Sequence, residues 1–90
     1  MVYRVSWSKK AAKELSKIDK AQAKILFSWV KKNLDKCTNP RKFGRPLTGD
    51  WEDFWRYDIG KYRIICDLQD DMGIILAVKV THRKEVYRKH

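Results

Sequence analysis

Two arginines stand at the ends of the stretch RYDIGKYR, residues 56–63. The residues between them are typical of a tight hairpin turn. A two-residue turn at 59–60 and a four-residue loop over 58–61 predict the same register, in which Arg56 opposes Arg63. Like charges directly opposite on a sheet are unfavourable by up to about 1 kcal/mol. The sequence therefore predicts two neighbouring guanidinium groups that need a counter-charge.

Two sources of that counter-charge are open. Asp58 or Asp67 could neutralise an arginine within the sheet. A bound phosphate could do so instead, because arginine makes forked, two-donor contacts with phosphate oxygens. Two such groups on a rigid strand pair could hold a phosphodiester and stabilise the charge of its transition state. The phosphate interpretation requires that neither guanidinium is sealed by a carboxylate or turned away from the other.

The C-terminal segment THRKEVYRKH adds further candidate groups. His82 has the side chain best suited to proton transfer near neutral pH. Arg83 could be a third phosphate ligand or one more surface charge. Tyr87 could stack on a base, as aromatic rings do in single-strand RNA recognition, or it could anchor the tail.

The charge balance points to an anionic partner. The net charge is +10, from 21 Lys and Arg against 11 Asp and Glu. Such an excess attracts nucleic acid, an anionic membrane surface or an acidic protein, and the interleaved aromatic residues favour nucleic acid. No apolar run reaches the roughly 18 residues of a membrane span, and the N-terminus lacks the order of a signal peptide. We therefore expect a cytoplasmic protein without a membrane partner.

The cysteines and histidines do not form a recognisable ligand motif. Cys37 and Cys66 are isolated from each other in a chain of intracellular type, so we expect reduced thiols. Together with the 2 His they lack the spacing of a zinc site. We expect neither a metal nor a cofactor.

Hydrophobic periodicity predicts the order strand, helix, helix, strand, strand, strand in one domain, residues 1–90. Ser8 and Asp19 are the expected helix caps, and a basic loop rich in Pro and Gly precedes the second strand. The predicted elements cover residues 2–7, 9–18, 20–36, 51–57, 61–68 and 73–80. Ile25, Leu26, Trp29, Val30 and Leu34 repeat at helical spacing and are predicted on the apolar face of the second helix.

These elements predict an α+β fold, β-α-α-β-β-β, with an antiparallel sheet and two N-terminal helices packed on one face. Sequential strands joined by short turns pair antiparallel, and helices that precede them must cover one side. Arg56 and Arg63 then lie on the open face, flanked by Phe54 and Ile65. The helix-covered face carries Trp55, Tyr57, Tyr62, Ile64 and Cys66.

The strings PLTGDWEDFWRYDIGKYRIICDL and VTHRKEVYRKH resemble the RelE branch of the RelE/ParE superfamily, the toxins of bacterial type II toxin–antitoxin pairs. The resemblance covers nearly the whole chain. It rests on a Leu-x-Gly loop, the W-R-Y-x-hydrophobic-G-x-Y-R hairpin and the final H-R-K-E-V-Y. It implies a fold like that of small microbial ribonucleases and metal-independent cleavage of messenger RNA in the ribosomal decoding site. In that reaction the 2′-hydroxyl of the RNA attacks the adjacent phosphate, which leaves a 2′,3′-cyclic phosphate and a 5′-hydroxyl.

The resemblance also implies roles for single residues. Arg63 matches the arginine that stabilises the charged phosphate, and Arg56 matches a basic position before the turn. Arg83 matches the residue that protonates or stabilises the leaving group, and Tyr87 matches the tyrosine that orients the substrate by stacking. His82 stands where relatives carry His or Lys, and we predict it as the general base.

Two positions depart from the family pattern. Asp58 stands where many relatives carry a basic residue, and Lys61 stands where an acid is common. Either could take the proton if His82 does not. The residues expected to bind RNA are Lys42, Arg45, Lys61, Lys84 and Arg88.

The resemblance implies a cognate antitoxin that neutralises the basic face, and operator DNA bound only through that antitoxin. The ribosome and messenger RNA are the other expected partners. Two further functions stay open. One is inhibition of DNA gyrase in the manner of ParE, which does not depend on the catalytic arginines. The other is non-catalytic binding of RNA or of the ribosome.

Overall fold

The computed structural model describes residues 2–47 and 54–82. The predicted roles of Arg83, Lys84, Tyr87 and Arg88 lie outside these residues, as does the predicted strand start at residue 51. The elements in chain order are β1 (Arg4–Trp7), α1 (Lys9–Lys17), α2 (Lys20–Asn33), a short 3-10 helix (Pro40–Lys42), β2 (Arg45–Pro46), β3 (Phe54–Ile59), β4 (Tyr62–Gln69) and β5 (Ile74–His82).

Both helices begin at the predicted caps. The Ser8 hydroxyl accepts a hydrogen bond from the Ala11 amide at 3.0 Å. The Asp19 carboxylate accepts from the amides of Ala21 and Gln22 at 3.1 and 3.3 Å. These contacts satisfy N–H groups that have no partner inside a helix. The capping predictions are confirmed.

The second helix ends before the predicted residue 36. Lys36 has a φ of 67°, in the left-handed region that a helix cannot contain. The Lys36 amide donates to the Tyr3 carbonyl at 2.7 Å, and the Tyr3 amide donates to the Cys37 carbonyl at 2.8 Å. The chain after α2 is thereby tied to the residues that lead into β1.

The sheet has five strands in the order β1-β5-β4-β3-β2. The predicted α+β fold is confirmed, and β3, β4 and β5 form the expected antiparallel meander. The sheet is mixed, because β1 runs parallel to β5 and not antiparallel as predicted. Parallel neighbours need a long connection, which the helices and the meander provide here. Strand β2 lies in the segment predicted as a loop, where it pairs with β3.

The core lies between the helices and one face of the sheet. The predicted inward residues of β3 and β4 all belong to it or pack against it. Ile25 was predicted on the inner face of α2 but is 51% exposed. Leu26 and Val30, which belong to the same predicted repeat and are one helical turn apart, are buried on that face as predicted. The fully buried core residues include Ala11, Tyr57, Ile64 and Ile75.

Both cysteines are free thiols, as predicted. Cys66 is buried, and that burial raises the pKa of its thiol, so it is a poor nucleophile. In the parts of the chain that the structure describes, neither helix has the length and apolar character needed to cross a membrane.

Candidate functional site

The β3–β4 hairpin turns one residue later than predicted. Gly60 and Lys61 form the turn, so Asp58 pairs with Arg63. Gly60 has a φ of 59°, and the tight hairpin turns that match strand twist require such a value at their first central position. The prediction that Arg56 opposes Arg63 is therefore wrong. Both strands shift together, so Arg56 and Arg63 remain on the same open face as diagonal neighbours.

Arg63 takes its counter-charge from within the hairpin. Its Nε donates to Oδ1 of Asp58 at 2.7 Å, and the two side chains are 14% and 30% exposed. Of the two predicted sources of counter-charge, a carboxylate of the sheet and a bound phosphate, the carboxylate of Asp58 is the one that contacts Arg63. The condition for a phosphate clamp made of two opposed and unneutralised guanidinium groups is not met at this pair.

The like-charged residue opposite Arg56 is Arg45 and not Arg63 as predicted. The two arginines oppose each other across β2 and β3. Within the described residues the ion pairs are Arg41–Asp70 and Arg63–Asp58, and neither involves Arg45 or Arg56. The Nε of Arg56 is buried without a hydrogen-bond partner. A buried donor in that state costs about 1–3 kcal/mol. No carboxylate of the described residues is paired with Arg45 or Arg56, so their positive charges are not neutralised by that part of the chain.

The loop before β2 is anchored to the helix-covered face. Nε1 of Trp55 donates to the Phe43 carbonyl at 2.6 Å, and the Tyr57 hydroxyl donates to the Pro40 carbonyl at 2.7 Å. Burial raises the pKa of Tyr57, so its phenol remains a proton donor at physiological pH. These two contacts position the loop residues that lead into β2.

Gly44 allows this loop to reach β3. Its φ is 72°, and a Cβ at this position would lie 2.1 Å from the Arg56 carbonyl oxygen. A side chain would therefore collide with the backbone of the neighbouring strand. Glycine permits the close approach that puts Arg45 beside Arg56.

His82 does not join the arginines. It pairs with Tyr62 at the end of β5, and the two rings meet edge to face with centroids 5.2 Å apart. Tyr62 packs against the core, which places His82 at the margin of the helix-covered face. Arg63 opposes Thr81, the preceding residue of β5, and neighbouring strand residues point to opposite faces. The predicted base and the predicted phosphate ligand thus lie on different sides of the sheet.

The predicted RNA ligands that lie in the described residues, namely Lys42, Arg45 and Lys61, belong to different segments. Lys61 is exposed in the hairpin turn, and Lys42 is exposed in the 3-10 helix with its Nζ 5.8 Å from the centre of the Phe43 ring. Arg45 is also exposed, and it adjoins a candidate catalytic residue. In residues 2–47 and 54–82, no three His, Cys, Asp or Glu side chains converge as metal ligands would.

A second arginine–aspartate pair joins three distant segments. Nη1 and Nη2 of Arg41 donate to the two carboxylate oxygens of Asp70 at 3.0 and 2.9 Å. The Tyr3 hydroxyl donates to the same carboxylate at 2.6 Å. The hydrogen bonds from Arg41, and then from Tyr3, hold the pKa of Asp70 below its usual value. This cluster ties the β4–β5 turn to the N-terminus and to the 3-10 helix.

Comparisons with known proteins identify a matching family model and a shared fold. Residues 5–87 match the family model described as the ParE toxin of the type II toxin–antitoxin system parDE. A search of curated protein sequences finds no match.

Several solved structures share the fold of this chain at low sequence identity. The toxin–antitoxin complex RelBE2 from Mycobacterium tuberculosis has a TM-score of 0.82 at 20% identity, and the alignment covers 92% of this chain and 100% of that chain. The isolated RelE toxin from E. coli has a TM-score of 0.71 at 16% identity, over 93% of this chain and 87% of that chain. The archaeal RelE–RelB complex from Pyrococcus horikoshii has a TM-score of 0.64 at 24% identity, over 96% and 100%.

Proposed function

The chain belongs to the ParE toxin family of type II toxin–antitoxin systems, and from that membership we propose that it is a ribosome-dependent endoribonuclease that blocks translation. One observation carries the proposal. Arg45, Arg56 and Arg63 lie together on the sheet face that the helices leave open. A sheet face that carries clustered guanidinium groups and no helix can accept a polynucleotide, and the net charge of +10 favours its approach.

The proposed reaction uses the substrate's own nucleophile and no metal. The 2′-oxygen of the RNA bonds to the adjacent phosphorus and gives its proton to a base or to solvent water, and the bond from phosphorus to the 5′-oxygen breaks. The leaving 5′-oxygen takes up a proton from an acid or from solvent water, which leaves a 2′,3′-cyclic phosphate and a 5′-hydroxyl. The guanidinium groups of Arg63 and Arg56 stabilise the negative charge that grows on the non-bridging oxygens.

Asp58 acts in this scheme through Arg63. A charge-assisted contact of 2.7 Å to Nε restricts the plane in which the guanidinium can lie. Arginine stays protonated at any physiological pH, so Arg63 stabilises charge and does not remove a proton. Asp58 is therefore a positioning residue for the arginine that faces the phosphate.

The proton acceptor remains a separate proposal. His82 is the residue predicted for this role, but its place across the sheet from Arg63 speaks against direct transfer within the described part of the site. Arg83 and Tyr87 remain the proposed leaving-group and stacking residues of the segment that follows. An alanine variant of His82 distinguishes the two views, because loss of a general base costs about 100-fold or more.

Cleavage of ribosome-bound messenger RNA tests the proposal. We expect wild-type protein to produce new 5′ ends within the message, and Arg63→Ala to lower the cleavage rate about 100-fold while the domain stays folded. His82→Ala is expected to keep most of the activity. Lys24→Ala, which removes an exposed charge from α2, is the matched control and leaves the rate unchanged. Intact messages after incubation with wild-type protein would contradict the proposal.

We further propose a cognate antitoxin, the ribosome and messenger RNA as partners in the cytoplasm, with operator DNA bound through the antitoxin. The Mycobacterium tuberculosis and Pyrococcus horikoshii structures are themselves toxin–antitoxin complexes. An antitoxin with acidic side chains would neutralise the open face and so exclude RNA from it. Competition between the antitoxin and RNA for the free toxin would support this arrangement.

A second candidate is inhibition of DNA gyrase in the manner of ParE toxins. The description of the matching family model as ParE favours it. That action does not depend on Arg63, so Arg63→Ala would still arrest growth. DNA-damage signalling with intact messages would identify this function. Growth arrest without cuts in messages and without DNA damage would instead indicate a non-catalytic RNA or ribosome binder.

A further inference from the structure

Four strands contribute one row of residues on the open face. Arg45 of β2 opposes Arg56 of β3, Arg56 opposes Ile65 of β4, and Ile65 opposes Lys79 of β5. Cations thus occupy every position in the row except that of Ile65. Neighbouring strands lie about 4.8 Å apart, so the row extends about 14 Å across the sheet. Its direction is perpendicular to the strands.

A β-bulge brings Lys79 into this row. The pairing of β4 with β5 shifts between Ile65 and Cys66, so that Lys79 opposes Ile65 while Ala77 opposes Cys66. In an unbroken strand Ala77 and Lys79 would point to the same face, and Ala77 lies in the core. The extra residue, Val78, lets Ala77 stay in the core while Lys79 shares the face of Arg56. Bulges often redirect a side chain next to a functional site.

Within residues 2–47 and 54–82, no acidic side chain forms an ion pair with a cation of this row. Among the described residues the acidic partners of the ion pairs are Asp70 and Asp58, which bind arginines outside the row. The Nε of Arg56 is buried without a hydrogen-bond partner, although the residue as a whole is only partly buried. Unsatisfied buried donors are rare in native proteins and call for an explanation. The buried Nε is out of reach of a ligand, but the residue is only partly buried, so a ligand with anionic oxygens can neutralise the charge of the guanidinium from its accessible side.

The spacing of the cations fits a chain of charges more than a single anion. Ile65 is fully buried and separates Arg56 from Lys79 by two strand spacings, or about 10 Å. Arg45 and Arg56 are immediate neighbours on the other side of this gap. Two anionic groups held at a distance from each other satisfy such a row, as successive phosphates of a flexible strand do.

We propose that Arg45, Arg56 and Lys79 bind backbone phosphates of a single-stranded RNA that crosses the sheet perpendicular to its strands. This inference rests on the proposed function, because it describes how the substrate lies on the same face. Arg63 stands two residues from Ile65 on β4, so the phosphate it faces lies about 7 Å from the row. Lys79 and Arg45 then hold phosphates on opposite sides of the cut.

The salt dependence of RNA binding tests this row. The probe is a fluorescent single-stranded 2′-O-methyl oligoribonucleotide, which has no free 2′-hydroxyl and cannot be cut by this chemistry. The dissociation constant is measured over about 50–200 mM salt. We expect Lys79→Gln to weaken binding for all sequences alike and to lower the slope of log K against log salt by about 0.7. Lys79→Arg should restore the wild-type slope.

The matched control is Lys13→Gln, which removes an exposed lysine from α1 on the helix-covered side and should leave the slope unchanged. Thermal melting of each variant establishes that it is folded. The proposal is overturned if Lys79→Gln keeps the wild-type slope, or if it weakens only binding of the antitoxin. Cleavage is scored separately on ribosomes. A reduced slope for Lys79→Gln without cleavage by wild type would support the row and refute the ribonuclease, and the reverse result would refute the row alone.

Discussion

The two arginine–aspartate pairs use the same chemistry for different purposes. Arg41 and Asp70 form a bidentate ion pair, and the Tyr3 hydroxyl donates a further hydrogen bond to Asp70. These contacts join segments that are far apart in the chain. Arg63 and Asp58 meet through a single contact at Nε inside one hairpin. The first pair is 44% and 49% exposed and ties loops together, whereas the second is 14% and 30% exposed and lies on the open face. The surroundings of an ion pair, and not its members, indicate what it does.

Replacement of each aspartate by alanine should separate the two roles most clearly. We expect Asp58→Ala to lower the rate of ribosome-dependent cleavage about tenfold, since loss of a charged hydrogen bond leaves Arg63 poorly oriented. Asp70→Ala should leave the rate unchanged. The readout is the cleavage rate at saturating substrate, together with affinity for uncleavable RNA. Asp58→Ala should retain that affinity, because the variant removes a negative charge from the binding face. An equal loss of rate in both variants would remove the distinction between the pairs.

For thermal stability we expect the opposite order, with the larger effect from substitution of Asp70 and the smaller from substitution of Asp58. Asp70→Asn weakens contacts that join three segments, so we expect the melting temperature to fall by about 3 °C. Asp58→Asn affects one local hairpin and should change it by less. Thermal denaturation followed by circular dichroism at neutral pH gives both values. A larger fall for Asp58→Asn would mean that the hairpin pair, and not the Asp70 cluster, contributes more to the fold.

The pH dependence of that difference sharpens the comparison further. The folded pKa of Asp70 is lowered, chiefly by Arg41, so its contribution to stability is fully present above the unfolded pKa of about 3.9. The contribution is lost as the pH falls through the folded pKa, where the carboxyl group takes up a proton. We therefore expect the melting temperatures of wild type and Asp70→Asn to differ by a constant amount from neutral pH to about pH 4, and to converge below it. A gap that persists at lower pH would show that the effect does not depend on the charge of Asp70.

The two arginine–aspartate pairs also show which contacts between side chains can be predicted from the sequence. Asp58 and Arg63 stand five positions apart around a turn, so the sequence leaves a contact between them open. Asp70 and Tyr3 are separated by most of the chain, and neither has a neighbour in the sequence that reveals the contact. The Asp70 cluster was accordingly not predicted. For the hairpin, the sequence leaves neutralisation by Asp58 or Asp67 open beside a bound phosphate, and it predicts the turn one residue earlier than it occurs.

The sequence by itself determined the local structure of this protein. Helix periodicity, the caps at Ser8 and Asp19, strand alternation and the meander order all follow from interactions between residues close in the chain. The predicted faces of β3 and β4 are correct although the predicted register is not. Moving the turn by one residue changes each pairing partner by two residues, which leaves every side chain on its predicted face. The presence of arginines on the open face was therefore predictable, and the RelE/ParE family was predicted from the resemblance of the hairpin and tail motifs.

The tertiary structure alone decided which charges meet. Arg45 reaches Arg56 because Gly44 lets a loop approach the β3 backbone, and Lys79 reaches the same row through a bulge in β5. Strand β1 is parallel to β5 for a similar reason, since its partner arrives from the far end of the chain. Each of these pairings depends on contacts between residues distant in sequence, and local propensity contains no information about them.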